Sequence, residues 1–97
     1  KTMGSLRYDT AAFAFDDRSL AHLRTVILGK LNLQESLVFT WVDGERQHSL
    51  WLHPAIPLHF EFNEGIPLDL NPAWVEQLLS LANSPGGLRL SEEPQSE

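Results

Sequence analysis

Between Arg46 and Phe62 the chain reads RQHSLWLHPAIPLHFEF, with apolar and polar residues alternating on both sides of a turn bounded by Pro54 and Pro57. Successive side chains of a strand point to opposite faces. Leu50 and Leu52, and beyond the turn Ile56, Leu58, Phe60 and Phe62, therefore share one face. Trp51, His53, His59 and Glu61 fall on the other. That second face is too polar for a core, yet it carries a tryptophan and two histidines. It is the first place to look for a working surface.

The same reading extends along the chain. Residues 5–9 form a first strand with Leu6 and Tyr8 on one side, and Asp9-Thr10 turns it into a second over residues 11–15, with Phe13 and Phe15 inward. Asp16 and Asp17 then supply a carboxylate cap, which accepts orphan backbone N–H groups and complements the helix dipole. Leu20, Leu23, Ile27 and Leu31 follow at helical spacing, so a helix is predicted over residues 18–31, with Asn32 as its stop. Residues 35–42 are apolar on both faces, as in a central strand. Asp43-Gly44 signals a type I′ hairpin. A two-residue turn there pairs Val42 with Glu45, Phe39 with His48 and Leu37 with Leu50. Leu37, Phe39 and Trp41 then share a face with Leu50 and Leu52.

The next turn, near Pro54 to Pro57, is expected to place Leu58 across from Leu52 and Phe60 across from Leu50. Trp51 would then lie across from His59, with His53 diagonal to it. Residues 63–70 read as a loop. Asn71-Pro72 opens a second helix, with Asn as cap and Pro at the first helical position, where its missing N–H is no loss. That helix buries Trp74, Leu78, Leu81 and Ala82, with Val75 and Leu79 widening the stripe, and the run Asn83-Ser84-Pro85-Gly86-Gly87 ends it. Leu88-Arg89-Leu90 reads as a short last strand.

The predicted fold is α+β: a mostly antiparallel sheet in the order β-β-α-β-β-β-α-β, with two helices packed on one face. Residues 1–4 are expected to be a tag remnant and N-terminus, with Lys1 and Thr2 an expression scar ahead of Met3. Residues 5–90 form a single globular domain, and residues 91–97 a disordered acidic tail. Leu20, Ile27, Leu50, Leu52, Leu58, Phe60, Trp74 and Leu78 are expected to form one core. Truncating Phe60 would then cost about 3–5 kcal/mol.

Composition narrows the function more than the fold. The chain has 97 residues, enough for one domain with one modest core. It has no cysteine, which excludes disulfides and thiolate metal sites and fits a reducing cytoplasm. No run approaches the roughly 18 apolar residues of a membrane span. Seven basic residues against 13 acidic ones give a net charge of −6. That balance disfavours a nucleic-acid partner, because phosphate binding is driven by Lys and Arg.

The chemical motifs are thin. No glycine-rich loop opens a helix, and the glycines at 86 and 87 follow a helix as its stop. Ser19, Ser36, Ser49 and Ser84 lie in no nucleophile elbow. Asp16 and Asp17 point different ways, as caps rather than as a cooperating pair. A zinc site needs three or four ligands converging at about 2 Å. His53 and His59 give two, with Glu61 about 7 Å further along its strand. His48 belongs near the edge of the inner face in a structural role, and His22 on the solvated flank of the first helix. No catalytic residue, cofactor or bound metal is expected. The outer face of Val38, Thr40, Val42, Ser49, Trp51, His53 and His59, with Gln47 beside them, has the mix of an interface core with a polar rim. The competing reading is that a helix or the N-terminal hairpin folds over it.

Four segments carry a family resemblance: Met3-Gly4-Ser5-Leu6-Arg7-Tyr8-Asp9, Phe15-Asp16-Asp17-Arg18-Ser19-Leu20-Ala21-His22-Leu23, Trp51-Leu52-His53-Pro54 and Ala82-Asn83-Ser84-Pro85-Gly86-Gly87-Leu88. Together they resemble a small bacterial family of uncharacterised domains of about this length, many labelled "ATP-dependent DNA ligase". The resemblance covers nearly the whole chain and brings no catalytic residues. Ligase nucleotidyltransferases share a Lys-x-Asp-Gly motif whose lysine takes the AMP. Here the similar string is Trp41-Val42-Asp43-Gly44, with Trp in place of Lys, and Lys1 and Lys30 lack the context. The expectation is a non-catalytic interaction domain, binding itself or another protein through the face around Trp51. Alternatives are a small-ligand or metal-binding domain using Trp51, His53 and His59, or an accessory domain of DNA-processing proteins.

Overall fold

A two-residue turn at Asp9-Thr10, with Asp9 in the left-handed region (φ 55°), joins β1 (Met3–Tyr8) to β2 (Ala11–Asp16). The computed structural model describes residues 2–63, 65 and 69–95. Leu6 pairs with Phe13 across this hairpin, so the predicted inward positions of the two strands share a face. Asp16 caps the helix α1 (Asp17–Asn32), accepting from the Ser19 backbone N–H at 3.2 Å and the Ser19 hydroxyl at 2.8 Å. β3 (Leu37–Asp43) and β4 (Arg46–Leu52) form the second hairpin. β5 (Leu58–Glu61), α2 (Pro72–Ala82) and β6 (Leu88–Arg89) complete the order. Asn71 caps α2 by accepting from the Ala73 N–H at 3.0 Å. Part of the loop predicted over residues 63–70 lies outside the described residues.

The fold is α+β, and the described residues form six strands and two helices in the predicted order. The sheet, however, is two: one three-stranded sheet ordered β2-β1-β5 and another ordered β4-β3-β6. β5 pairs antiparallel with β1, placing Phe60 opposite Leu6 and His59 opposite Arg7. The expected pairings of Leu52 with Leu58, Leu50 with Phe60 and Trp51 with His59 are not formed. The connection explains why. Residues 53–57 hold two prolines, and the single turn closed by the Ile56 N–H on the His53 carbonyl carries the chain away from β4. The end of β4 is met instead by Tyr8. Its hydroxyl donates to the Trp51 carbonyl at 2.5 Å and accepts from the His53 N–H at 3.2 Å.

The β3–β4 register is shifted by two residues from the expected one. Phe39 faces Leu50 and Leu37 faces Leu52. The turn residues are Gly44 and Glu45, and Gly44 alone of the two has positive φ (64°). A shift of two leaves every side chain on its predicted face, because the strand period is two.

The inner faces of the sheets meet through aromatic rings. Phe13 packs edge-on to Trp41 with centroids 4.9 Å apart, and Phe15 lies 5.9 Å from Phe39. His48 is half-buried and stacked on Trp41, as its structural assignment required. The helices pack on each other, α1 against β1 and β2 and α2 against β3 and β6. Of the expected core, Leu20, Ile27, Leu52, Trp74 and Leu78 are buried. Leu50, Leu58 and Phe60 are half-buried, because β4 and β5 are edge strands with a neighbour on one side only. Phe60 therefore cannot carry the full cost expected of it.

β1 already includes Met3 and Gly4, and the Thr2 carbonyl accepts from the Asp17 N–H. At the other end residues 91–95 run along the helix ends, where Glu93 is ion-paired to Arg18.

Candidate functional site

The outer face of the second sheet is built by register. Val38 lies across from Trp51, Thr40 from Ser49 and Val42 from Gln47, while β6 brings Arg89 beside Thr40 on the other side. The Thr40 and Ser49 hydroxyls hydrogen-bond at 2.8 Å. Val38 is 40% exposed, Trp51 57% and Val42 67%. Neither helix nor the N-terminal hairpin folds over these residues. β-branched and aromatic side chains in cross-strand contact are what stabilise a sheet face. Here they also leave an apolar strip in solvent.

Five of the seven expected site residues, Val38, Thr40, Val42, Ser49 and Trp51, thus share one face. His53 flanks it, with its ring 5.0 Å from that of Trp51 and its Nδ1 accepting from the Ala55 N–H at 3.0 Å. That bond belongs to the turn after β4 and fixes the imidazole there. His59 is elsewhere, on the solvent face of the first sheet across from Arg7. Its placement beside Trp51 rested on the β4–β5 pairing that does not form. Among the described residues no group of three His, Asp or Glu side chains is arranged to hold a metal ion.

A second cluster was not legible in the sequence. His22, expected on a solvated flank, is fully buried. Its Nε2 accepts from the Asn71 N–H at 2.8 Å, so its ring proton sits on Nδ1 and donates to the Arg18 carbonyl at 2.7 Å. The ring also lies 4.5 Å from that of Trp74. Helical spacing locates a stripe facing the sheets. It does not show that α2 packs beside that stripe and widens the buried arc to include position 22.

Around this histidine the first turn of α1 and the cap of α2 converge on Glu93. Arg18 donates from Nε to Oε1 at 2.7 Å and from Nη2 to Oε2 at 2.6 Å, and Asn71 Nδ2 donates to Oε2 at 3.0 Å. The Arg18 hydrogen bonds, and then that of Asn71, lower the Glu93 carboxyl from its ordinary 4.5 to about 2. The same pairing raises Arg18. A carboxyl whose folded value is depressed contributes its stabilisation above its unfolded value and loses it as pH falls through the folded one. The tail contact is accordingly expected to hold above pH 4.5 and to loosen between there and about pH 2. A carbon-13 titration of the Glu93 carboxyl checks this; a midpoint at the ordinary value would show that Arg18 does not hold it.

No described helix is long and apolar enough to cross a membrane. A family model described as a domain of unknown function, DUF7882, matches residues 3–93, and the chain belongs to that family. Neither a curated protein nor a solved structure matches it.

Proposed function

We propose that this DUF7882 member is a non-catalytic interaction domain that self-associates through the outer face of the β4-β3-β6 sheet. The observation that carries the reading is Trp51, 57% exposed and directly across from the exposed Val38. An exposed tryptophan amid apolar and small polar residues is the kind of side chain that most often carries interface energy. A second copy is the natural occupant, since isologous two-fold dimers are the commonest assembly. The net charge of −6 opposes association in general, but Val38, Thr40, Val42, Gln47, Ser49 and Trp51 bring no carboxylate into the contact. The reading places the domain in the cytoplasm, without membrane or nucleic-acid partners.

Trp51→Glu is expected to give a folded monomer, because a carboxylate desolvated in the contact has no partner. Light scattering reports the mass and circular dichroism the fold. A wild type that is monomeric at high concentration ends the self-association reading. A variant that unfolds would place Trp51 in the core.

The reading includes no ligase chemistry, and position 41 supports that. Where a nucleotidyltransferase carries its reactive lysine, Trp41 is buried and stacked between Phe39 and His48. Incubation with labelled ATP and magnesium is expected to leave no AMP on the protein; label on Lys30 would overturn this. A ligand site built from Trp51, His53 and His59 together is not favoured, since His59 lies on the other sheet.

A further inference from the structure

The residues after β6 lie over the helix ends as a bound peptide would. Arg18 presents its planar fork to Glu93, the geometry that matches a carboxylate with two parallel hydrogen bonds. Asn71 Nδ2 donates both to Glu93 Oε2 and to the Pro94 carbonyl, each at 3.0 Å. The receptor is held by contacts that do not involve the tail. Arg18 Nη1 is tied to the Asp69 carbonyl at 3.2 Å. Asn71 is fixed by its Oδ1 on the Ala73 N–H and by its own N–H on His22. Two helix N-termini, with their positive ends, meet at this point.

The tail is an incomplete match for the site. Trp74 is 3% exposed, and its buried indole N–H meets no acceptor among the described residues; the Ser91 hydroxyl is likewise buried with no partner among them. Both residues line one cleft of about 450 Å³, together with Asp16, Arg18 and Glu92. A buried donor left unpaired is costly, so a segment satisfying the carboxylate receptor and also the indole would fit better than residues 91–94 do. The receptor also survives departure of the tail. When the tail leaves, Glu92 and Glu93 leave with it, Asp16 stays committed to capping Ser19, and Arg18 faces an open cleft.

We infer that the cleft between the N-termini of α1 and α2 is a binding site for an extended acidic peptide segment of another chain, and that residues 91–94 wall it and occupy its Arg18–Asn71 receptor in cis as a displaceable strap. The incoming carboxylate takes Arg18 and Asn71, and an adjacent peptide carbonyl accepts from the Trp74 indole.

The test uses the full chain, labelled with nitrogen-15. Its three tryptophans give three indole N–H resonances, assigned by Trp→Phe variants. The probe is a synthetic peptide copying residues 90–95, Leu-Ser-Glu-Glu-Pro-Gln, and a control peptide with Gln at the position of Glu93. The expected result is that Glu93→Gln, which weakens the strap, binds the probe at least tenfold more tightly than wild type. The Trp74 resonance should move, and the control peptide should bind at least tenfold more weakly than the probe. A folded Glu93→Gln chain whose Trp74 resonance is unmoved by millimolar probe overturns the inference, as does equal response to probe and control. Should Glu93→Gln lose its fold, the wild type decides: a fluorescently labelled probe must still bind it by competing with the strap, and no rise in anisotropy at millimolar protein is equally fatal. Trp51 reports the sheet face separately, so failure here leaves the self-association reading untouched.

Discussion

Phe39→Ala is expected to remove about 3–5 kcal/mol of stability, the range for emptying a buried aromatic site. Phe39 has no solvent exposure. It is held by Trp41, stacked with centroids 4.9 Å apart, by Phe15 from the other sheet at 5.9 Å, and by Leu50 and Leu88 on the neighbouring strands. These partners come from four different strands of both sheets, so the hole left by the ring cannot be closed by moving one element. A domain of this size has about 5–15 kcal/mol in total, and a loss of that order lowers the thermal midpoint by more than about 10 °C. Chemical denaturation of the two proteins side by side measures it. Phe60→Ala is the internal comparison. Its ring is half-buried on an edge strand, so the loss should be clearly smaller. Equal losses would contradict the pairing of β5 with β1.

The second large effect is expected at Gly4. A Cβ at this position would collide with the Glu61 carbonyl, and would lie 2.7 Å from Asp17 Oδ1 and 2.9 Å from Leu20 Cδ2. The first obstacle is backbone of the partner strand and cannot rotate away. The second is a buried carboxylate already accepting from the Asn63 N–H at 3.2 Å. Overpacking commonly costs about 1–3 kcal/mol, and here the upper end is expected, because β1, β5 and α1 must all part to admit one methyl group. Gly4→Ala should lower the denaturation midpoint by an amount approaching that of Phe39→Ala. A change within about 0.5 kcal/mol, normal for an exposed position, would show that β1 does not run against Glu61. The residue lies in a segment first read as a remnant. Nothing in a Met-Gly dipeptide signals that a partner strand passes over it.

The sheet face around Trp51 was legible for a definite reason. Its residues come from one hairpin, and in a hairpin the turn and the two-residue period place every side chain locally. Even a register read two positions off left Val38, Thr40, Val42, Ser49 and Trp51 together. His59 was lost from that group because its place depended on which strand β5 would join. The meeting of His22, Asn71 and Glu93 was illegible for the same kind of reason. By local pattern His22 and Glu93 are ordinary solvated residues and Asn71 an ordinary helix cap, and they meet only because α1, α2 and the tail converge.

The sequence by itself determined the order and approximate span of the strands and helices, their caps, and the face to which most apolar side chains point, Leu79, expected in the buried stripe of α2 and 42% exposed, being an exception. Those depend on spacing, capping chemistry and turn residues within a few positions of one another. The tertiary structure alone decided the division into two sheets, the union of β5 with β1, the burial of His22 and the docking of Glu93 on Arg18. These are choices among partners distant along the chain. They are settled by which apolar faces and fixed charges can be satisfied at once when the whole core closes, and no local pattern records that competition.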